Sequence, residues 1–235
     1  MNVTDFIAEF RLQRKDVIAP YAWTDAEIVS YLNSALNEAC ERALLIEDRT
    51  TAVCCEITLV NGQADYALNG SVIKVKRVTY AGIKLEESSV ESLDNEIAFK
   101  IDNRYSNLPG QQWEIQTGVP KCYFITGQSL RLVPIPTAAT ILITPKIYLT
   151  VYRTLLTPLS TAAPTVAPEI PTFYHLRLMP WIYRCALLKQ DSDRFDKAKA
   201  DEQEMIFIES FGYRPDANVQ RKRRDKRLPV TRMIW

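Results

Sequence analysis

Residues Thr24–Ala43 read TDAEIVSYLNSALNEACERA. Thr24 and Glu27 stand at the spacing of a capping box, in which each side chain satisfies the other residue's orphan backbone amide. Trp23 before the cap and Ile28 after it are placed to form a hydrophobic staple. Beyond them Ile28, Tyr31, Leu32, Ala35, Leu36, Ala39 and Ala43 recur at three- and four-residue steps. That spacing predicts one long helix with a continuous apolar face. Such a face must be buried against other elements, so the fold turns on what covers it.

Upstream, Val3, Phe6, Ile7 and Phe10 predict an amphipathic helix over about 3–15, with Pro20 separating the two. Downstream the pattern changes. Six of the seven glycines (Gly62, Gly70, Gly82, Gly110, Gly118, Gly127) fall in the middle of the chain, marking it as turn-rich and β. Val53, Cys55, Ile57 and Leu59 alternate with polar residues as a strand does. Asn61-Gly62 and Ala81-Gly82 are expected to turn two hairpins, the first pairing with Gln63–Leu68, the second joining Val72–Tyr80 to Ile83–Leu85. A short helix is expected near Val90–Asp94, and further strands at Tyr123–Thr126, Leu130–Val133 and Thr140–Arg153.

Residues 155–171 carry Pro158, Pro164, Pro168 and Pro171 and read as an extended, unpacked connector. Phe173, Leu176, Met179, Ile182, Tyr183, Ala186 and Leu187 then predict a helix kinked by Pro180. Ser192 is placed to cap a last helix through Phe195, Ala198, Met205 and Phe211, stopped by Gly212. The expected fold is α+β: N- and C-terminal helix pairs forming a four-helix bundle, an inserted antiparallel β domain, and an extended basic C-terminal arm. The corresponding boundaries are 1–50, 51–154 (the β insertion), 155–171, 172–212 and 213–235 (the arm).

Composition narrows the function classes. Among 235 residues, 47% are hydrophobic and 24% charged, as in an ordinary globular chain. No apolar run approaches the roughly 18–20 residues of a membrane span, and Asp5 and Glu9 stand where a signal peptide would be basic or apolar. Five cysteines without a C-x-x-C (Cys40, Cys54, Cys55, Cys122, Cys185) read as buried thiols of a reduced intracellular protein. The single histidine, His175, lies ten residues from Cys185 along the expected helix, too far for a local dyad. No nucleophile elbow, phosphate loop or zinc-protease motif occurs, and His and Cys are too few and wrongly spaced for a zinc site. Glu86-Glu87 and the pair Asp94 and Glu96 read as solvated surface, and Tyr105, Trp113, Tyr123 and Tyr148 as core or subunit contacts. The expectation is a non-enzyme without catalytic residues, cofactor or metal.

The end of the chain is different. Of 29 basic and 28 acidic residues, eight basic and two acidic ones fall in 214–235, which makes that segment +6 and residues 1–213 −5. The basic residues are Arg214, Arg221, Lys222, Arg223, Arg224, Lys226, Arg227 and Arg232, and the chain closes on Met233, Ile234 and Trp235. Charge with an aromatic–aliphatic anchor suits docking onto an acidic, grooved protein surface. DNA phosphates are the alternative partner, which would make the chain a nucleic-acid-binding module.

A series of short motifs carries a family resemblance. It runs Gly62-Gln63-x-x-Tyr66-x-Leu68, then Val75-x-Arg77-Val78-x-Tyr80-x-Gly82-x-x-Leu85, then Ser88 to Leu93-Asp94. Gly118-x-Pro120-x-x-Tyr123, Leu130-x-Leu132-x-Pro134-x-Pro136, Ile170-Pro171-x-x-Tyr174-His175 to Trp181, and Asp191 to Ala200 complete it. In order and spacing these resemble the head-to-tail adaptor (head-completion, connector or tail-tubular) proteins of short-tailed phages, from about residue 24 to 212. The resemblance implies a structural virion protein at the head–tail interface, made in the host cytoplasm. It implies a homo-oligomeric ring, expected as a dodecamer, between the portal protein and the next tail component, a nozzle or tail tube protein. DNA would pass through the lumen without sequence-specific binding, no membrane would be involved, and by position residues 214–235 would be the arm lying along the portal.

Overall fold

A computed structural model describes residues 1–93, 113–189 and 195–216. The described residues divide into two compact units, one within Met1–Glu47 and Tyr152–Arg214, the other within Asp48–Val151.

The first unit is helical. It contains α1 (Val3–Arg14), α2 (Asp25–Ala43), α5 (Met179–Leu187) and α6 (Lys197–Phe211). Both early helices begin with complete capping boxes, Asn2 with Asp5 and Thr24 with Glu27, so their start sites are set by local chemistry. Phe6, Phe10, Ile28, Leu32, Leu36 and Ile182 are fully buried.

These helices do not form the expected four-helix bundle. At 1.5 Å per residue, α5 is about 14 Å long against about 28 Å for α2, so it covers only half of the long apolar stripe. Residues 172–178, expected as part of that helix, form two short 3-10 turns, Thr172–Tyr174 and Leu176–Leu178. Pro180 opens α5 and does not kink it, because a proline in the first turn sacrifices no helical hydrogen bond. The last helix is capped by Asp196, whose side chain accepts from the Lys199 amide; Ser192 lies outside the described residues.

The Pro-rich segment, though mostly exposed, is anchored at several points. Asn33 on α2 clamps Leu159 from both sides, its Nδ2 donating to the Leu159 carbonyl at 2.9 Å and its Oδ1 accepting from the Leu159 amide at 2.8 Å. The Val3 amide donates to the Val166 carbonyl, and Leu159 and Ile170 are buried. Proline and small residues here give an extended chain that lies on helices.

The second unit is built on two sheets. One has the order β1 (Ile46–Asp48), β9 (Lys146–Arg153), β4 (Val72–Tyr80), β5 (Ile83–Lys84), with β2 (Glu56–Thr58) also pairing with β9. The other has the order β3 (Asp65–Ala67), β8 (Ser129–Val133), β7 (Cys122–Thr126), β6 (Glu86–Glu87). The inserted region is not purely antiparallel: β6 pairs parallel with β7, and Thr117 bridges Ile135 in parallel. Along β9, Ile147, Leu149 and Val151 are buried and alternate with more exposed residues, the period of a strand with one core face.

Three local readings change. Asn61-Gly62 does not close a hairpin, because β2 pairs with β9 while β3 pairs with β8. It is the turn at which the chain leaves one sheet for the other. Residues 53–55, expected to start a strand, belong to the one-turn helix α3 (Ala52–Cys55). Residues 140–143, expected to start the last strand, belong to α4 (Ala138–Ile143), which Thr137 starts by accepting from the Thr140 amide. By contrast, Ala81 and Gly82, both at positive φ, turn β4 into β5 with Tyr80 opposite Ile83, as expected.

Candidate functional site

The basic chain end was the expected site, and its root is the part that the structure describes. Gly212 ends α6 at φ +81°. Two residues later Arg214 is held on α2: its Nη2 donates to Glu41 Oε2 at 3.0 Å, and its Nε lies 3.8 Å from Glu38 Oε1. These carboxylates push the guanidinium pKa further up, so Arg214 is a fixed cation. The remaining arm residues, Arg221, Lys222, Arg223, Arg224, Lys226, Arg227, Arg232, Met233, Ile234 and Trp235, lie outside the described residues.

Beneath Arg214 is a polar network that sequence reading missed. Arg42, whose side chain is 3% exposed, pairs with Glu38 at 2.7 Å and approaches Glu204 of α6 at 3.8 Å. Its Nη1 donates to the Gly212 carbonyl at 3.1 Å, which fixes the point where the chain leaves α6. Arg184 of α5 donates from Nε to Glu204 at 2.9 Å. The two guanidiniums lie over the Trp181 ring at 5.1 and 4.7 Å, and Arg42 also lies over Phe207 at 5.2 Å. Planar cations stack on rings and pair with carboxylates at the same time, so α2, α5, α6 and the arm's first residues are tied together. In the sequence only the Glu38–Arg42 spacing of four hints at this. Chemically the network anchors; with each carboxylate facing a guanidinium, it offers no acid–base pair.

The other candidates resolve as structure. His175 is 2% exposed and sits between the two 3-10 turns, not inside an amphipathic helix. Its Nδ1 meets the Met1 ammonium at 2.9 Å and its Nε2 meets the Ile170 carbonyl at 3.2 Å. Burial lowers its pKa from 6.5, with the Ile170 hydrogen bond acting the other way. Glu86 and Glu87 are exposed on β6. Trp113 and Tyr123 are buried, Trp113 edge-on to Phe124, whereas Tyr148 is exposed. Tyr105, Asp94 and Glu96 lie outside the described residues.

One group of metal-ligating side chains comes together among the described residues: Asp48, Cys54 and Cys55, all buried. His and Cys spacing does not reveal this group, because its third member is a carboxylate six residues before Cys54. Burial, then the neighbouring Cys54 thiol and Asp48 charge, push the Cys55 thiol up to about 12.

A comparison with protein families matches residues 1–232 to the SU10 adaptor protein family. The chain belongs to that family. It is therefore a phage adaptor, a structural virion component, and its family is not one of known enzymes. The match to the adaptor family runs through the basic stretch Arg221–Arg227 as well as both units. A search of curated proteins finds no match. None of the adaptor's described helices is long and apolar enough to cross a membrane.

Proposed function

We propose that this adaptor forms a ring joining the phage portal to the next tail component, with a lumen for genome passage, and that its basic arm docks on the portal. The family match over residues 1–232 carries this reading, because it takes in the arm together with both units. Two physical features support it. The arm starts from a fixed point, since Arg42 holds the Gly212 carbonyl and Glu41 holds Arg214. The −5 body and +6 arm also separate two tasks: an acidic wall repels phosphates and lets DNA slide, whereas a basic arm with an apolar tip grips an acidic protein groove. Docking of the basic arm on an acidic groove would tie the adaptor's assembly to the portal's presence.

The experiment mixes full-length adaptor, and a form ending at Asp216, with purified portal and images the products by electron microscopy. Full-length protein is expected to give portal–adaptor rings and the shortened form none. Equal docking by both forms removes the arm from the mechanism, and no complex with either refutes the ring. The nucleic-acid alternative makes a separate prediction: binding of full-length protein to duplex DNA with a log–log salt slope of roughly −4 to −5 for about five phosphate contacts.

A further inference from the structure

We propose that Asp48, Cys54 and Cys55 form a binding site for a thiophilic divalent cation, zinc being the natural occupant. Taking one ligand atom from each side chain, the three atoms lie within 4.8 Å of one another, and the carboxylate meets each sulfur through a different oxygen. Cys54 Sγ and Cys55 Sγ are 3.6 Å apart, Cys54 Sγ lies 3.8 Å from Asp48 Oδ2, and Cys55 Sγ lies 3.6 Å from Asp48 Oδ1. A tetrahedral zinc with ordinary bond lengths requires sulfur–sulfur edges of about 3.8 Å and sulfur–oxygen edges of about 3.5 Å. The sulfur–sulfur edge is already within a few tenths of an ångström of its value, and a rotation of the Asp48 carboxylate brings one oxygen to both sulfurs.

Adjacent cysteines usually point to different sides of the chain, as along a strand. Here the one-turn helix α3 brings both sulfurs to the carboxylate, which is why the expected strand over these residues matters. The carboxylate is itself aimed: Asp48 Oδ1 accepts from the Thr50 amide at 3.0 Å and the Thr51 amide at 3.1 Å. Such outer contacts orient a ligand and are a regular part of metal sites. All three side chains are buried, with Cys55 1% and Cys54 3% exposed, so the cation would replace thiol–carboxylate hydrogen bonds inside the fold. On binding, the two thiol protons pass to solvent, two thiolates and one carboxylate meet the dication, and a solvent oxygen takes the fourth position. The bound ion would pin the corner between β1 and β2, where the second unit begins. This site is independent of the portal reading.

The test uses the full chain, reduced and stripped of metal with a chelator, and cobalt(II) as the spectroscopic probe, with zinc for displacement. One equivalent of cobalt per chain is expected to give an intense thiolate charge-transfer band that zinc abolishes. The band should survive replacement of Cys40, Cys122 and Cys185 by alanine, and X-ray absorption of that zinc-loaded variant should show two sulfur neighbours. It should vanish in Cys54→Ser/Cys55→Ser. Asp48→Asn keeps an oxygen for the Thr50 and Thr51 amides and should weaken binding by at least about tenfold, on the scale of lost ligand support. No thiolate band in the unmodified chain overturns the proposal. So does a band that persists without Cys54 and Cys55, or zinc bound with no sulfur neighbours when only those two cysteines remain.

Discussion

Replacing Arg42 by methionine tests the network at the arm's root. Methionine keeps most of the side-chain length and its contacts with Trp181 and Phe207 but removes the charge. Arg42 and Glu38 have side chains only 3% and 10% exposed and pair at 2.7 Å. Removing one member of a buried pair costs about 3–5 kcal/mol, mainly because the other charge stays buried. Two features place this case at the lower end. Glu38 keeps Arg214 at 3.8 Å, though that guanidinium is 65% exposed, and Glu204 keeps Arg184 at 2.9 Å. The expected loss is therefore about 3 kcal/mol, or a fall in melting temperature of roughly 6–12 °C for a chain of this size. Urea unfolding followed by far-ultraviolet circular dichroism reads it, since helices α1, α2, α5 and α6 all lie in the first unit. The double variant Glu38→Gln/Arg42→Met removes both charges and should recover more than half of the loss. A loss below about 1 kcal/mol, the level of an exposed pair, refutes the reasoning. A double variant no better than the single one refutes it equally, because the stranded Glu38 charge would then not be the source of the cost.

Two further outcomes follow from the same unit. Asn33→Ala strands the Leu159 amide and carbonyl, at a cost of about 1–3 kcal/mol, and should expose 155–171 to proteolysis that the intact chain resists; unchanged cleavage rates contradict the clamp. His175 is held neutral by burial, so its folded pKa lies below the unfolded value of 6.5. As pH falls below that value the unfolded chain takes up a proton that the folded chain does not. Stability should therefore decline below about pH 6.5, and His175→Gln should flatten that part of the stability–pH curve; an unchanged curve removes His175 as its source.

Much of this protein is legible wherever the determining contacts are local. Thr24 and Glu27 are three residues apart and close a capping box, so the start of α2 could be read directly. Ala81-Gly82 sits between two alternating runs that pair with each other. Asn61-Gly62 carries the same signal and does not make a hairpin, because each flanking strand finds its partner about 70 to 90 residues away. A turn motif specifies how the backbone bends; which strand lies alongside depends on the rest of the sheet. The candidate site divides in the same way. The charge of the chain end is a property of composition, whereas the Arg42 network joins side chains from three helices, and the Asp48–Cys54–Cys55 cluster exists only because α3 turns both sulfurs to one side.

By itself, then, the sequence determined the element types with strong periodicity, the caps, the −5 and +6 division of charge, and the order of motifs that marks a phage adaptor. Tertiary structure alone decided what covers the α2 stripe: chiefly the short α5, with α1, the Leu176–Leu178 turn and α6 beside it, in place of a bundle. It also decided the two-sheet pairing and the buried polar clusters. The physical reason is that an apolar period reports that a face is buried but not against what. Side-chain partners such as Asn33 and Leu159, more than a hundred residues apart, meet only after the chain has folded.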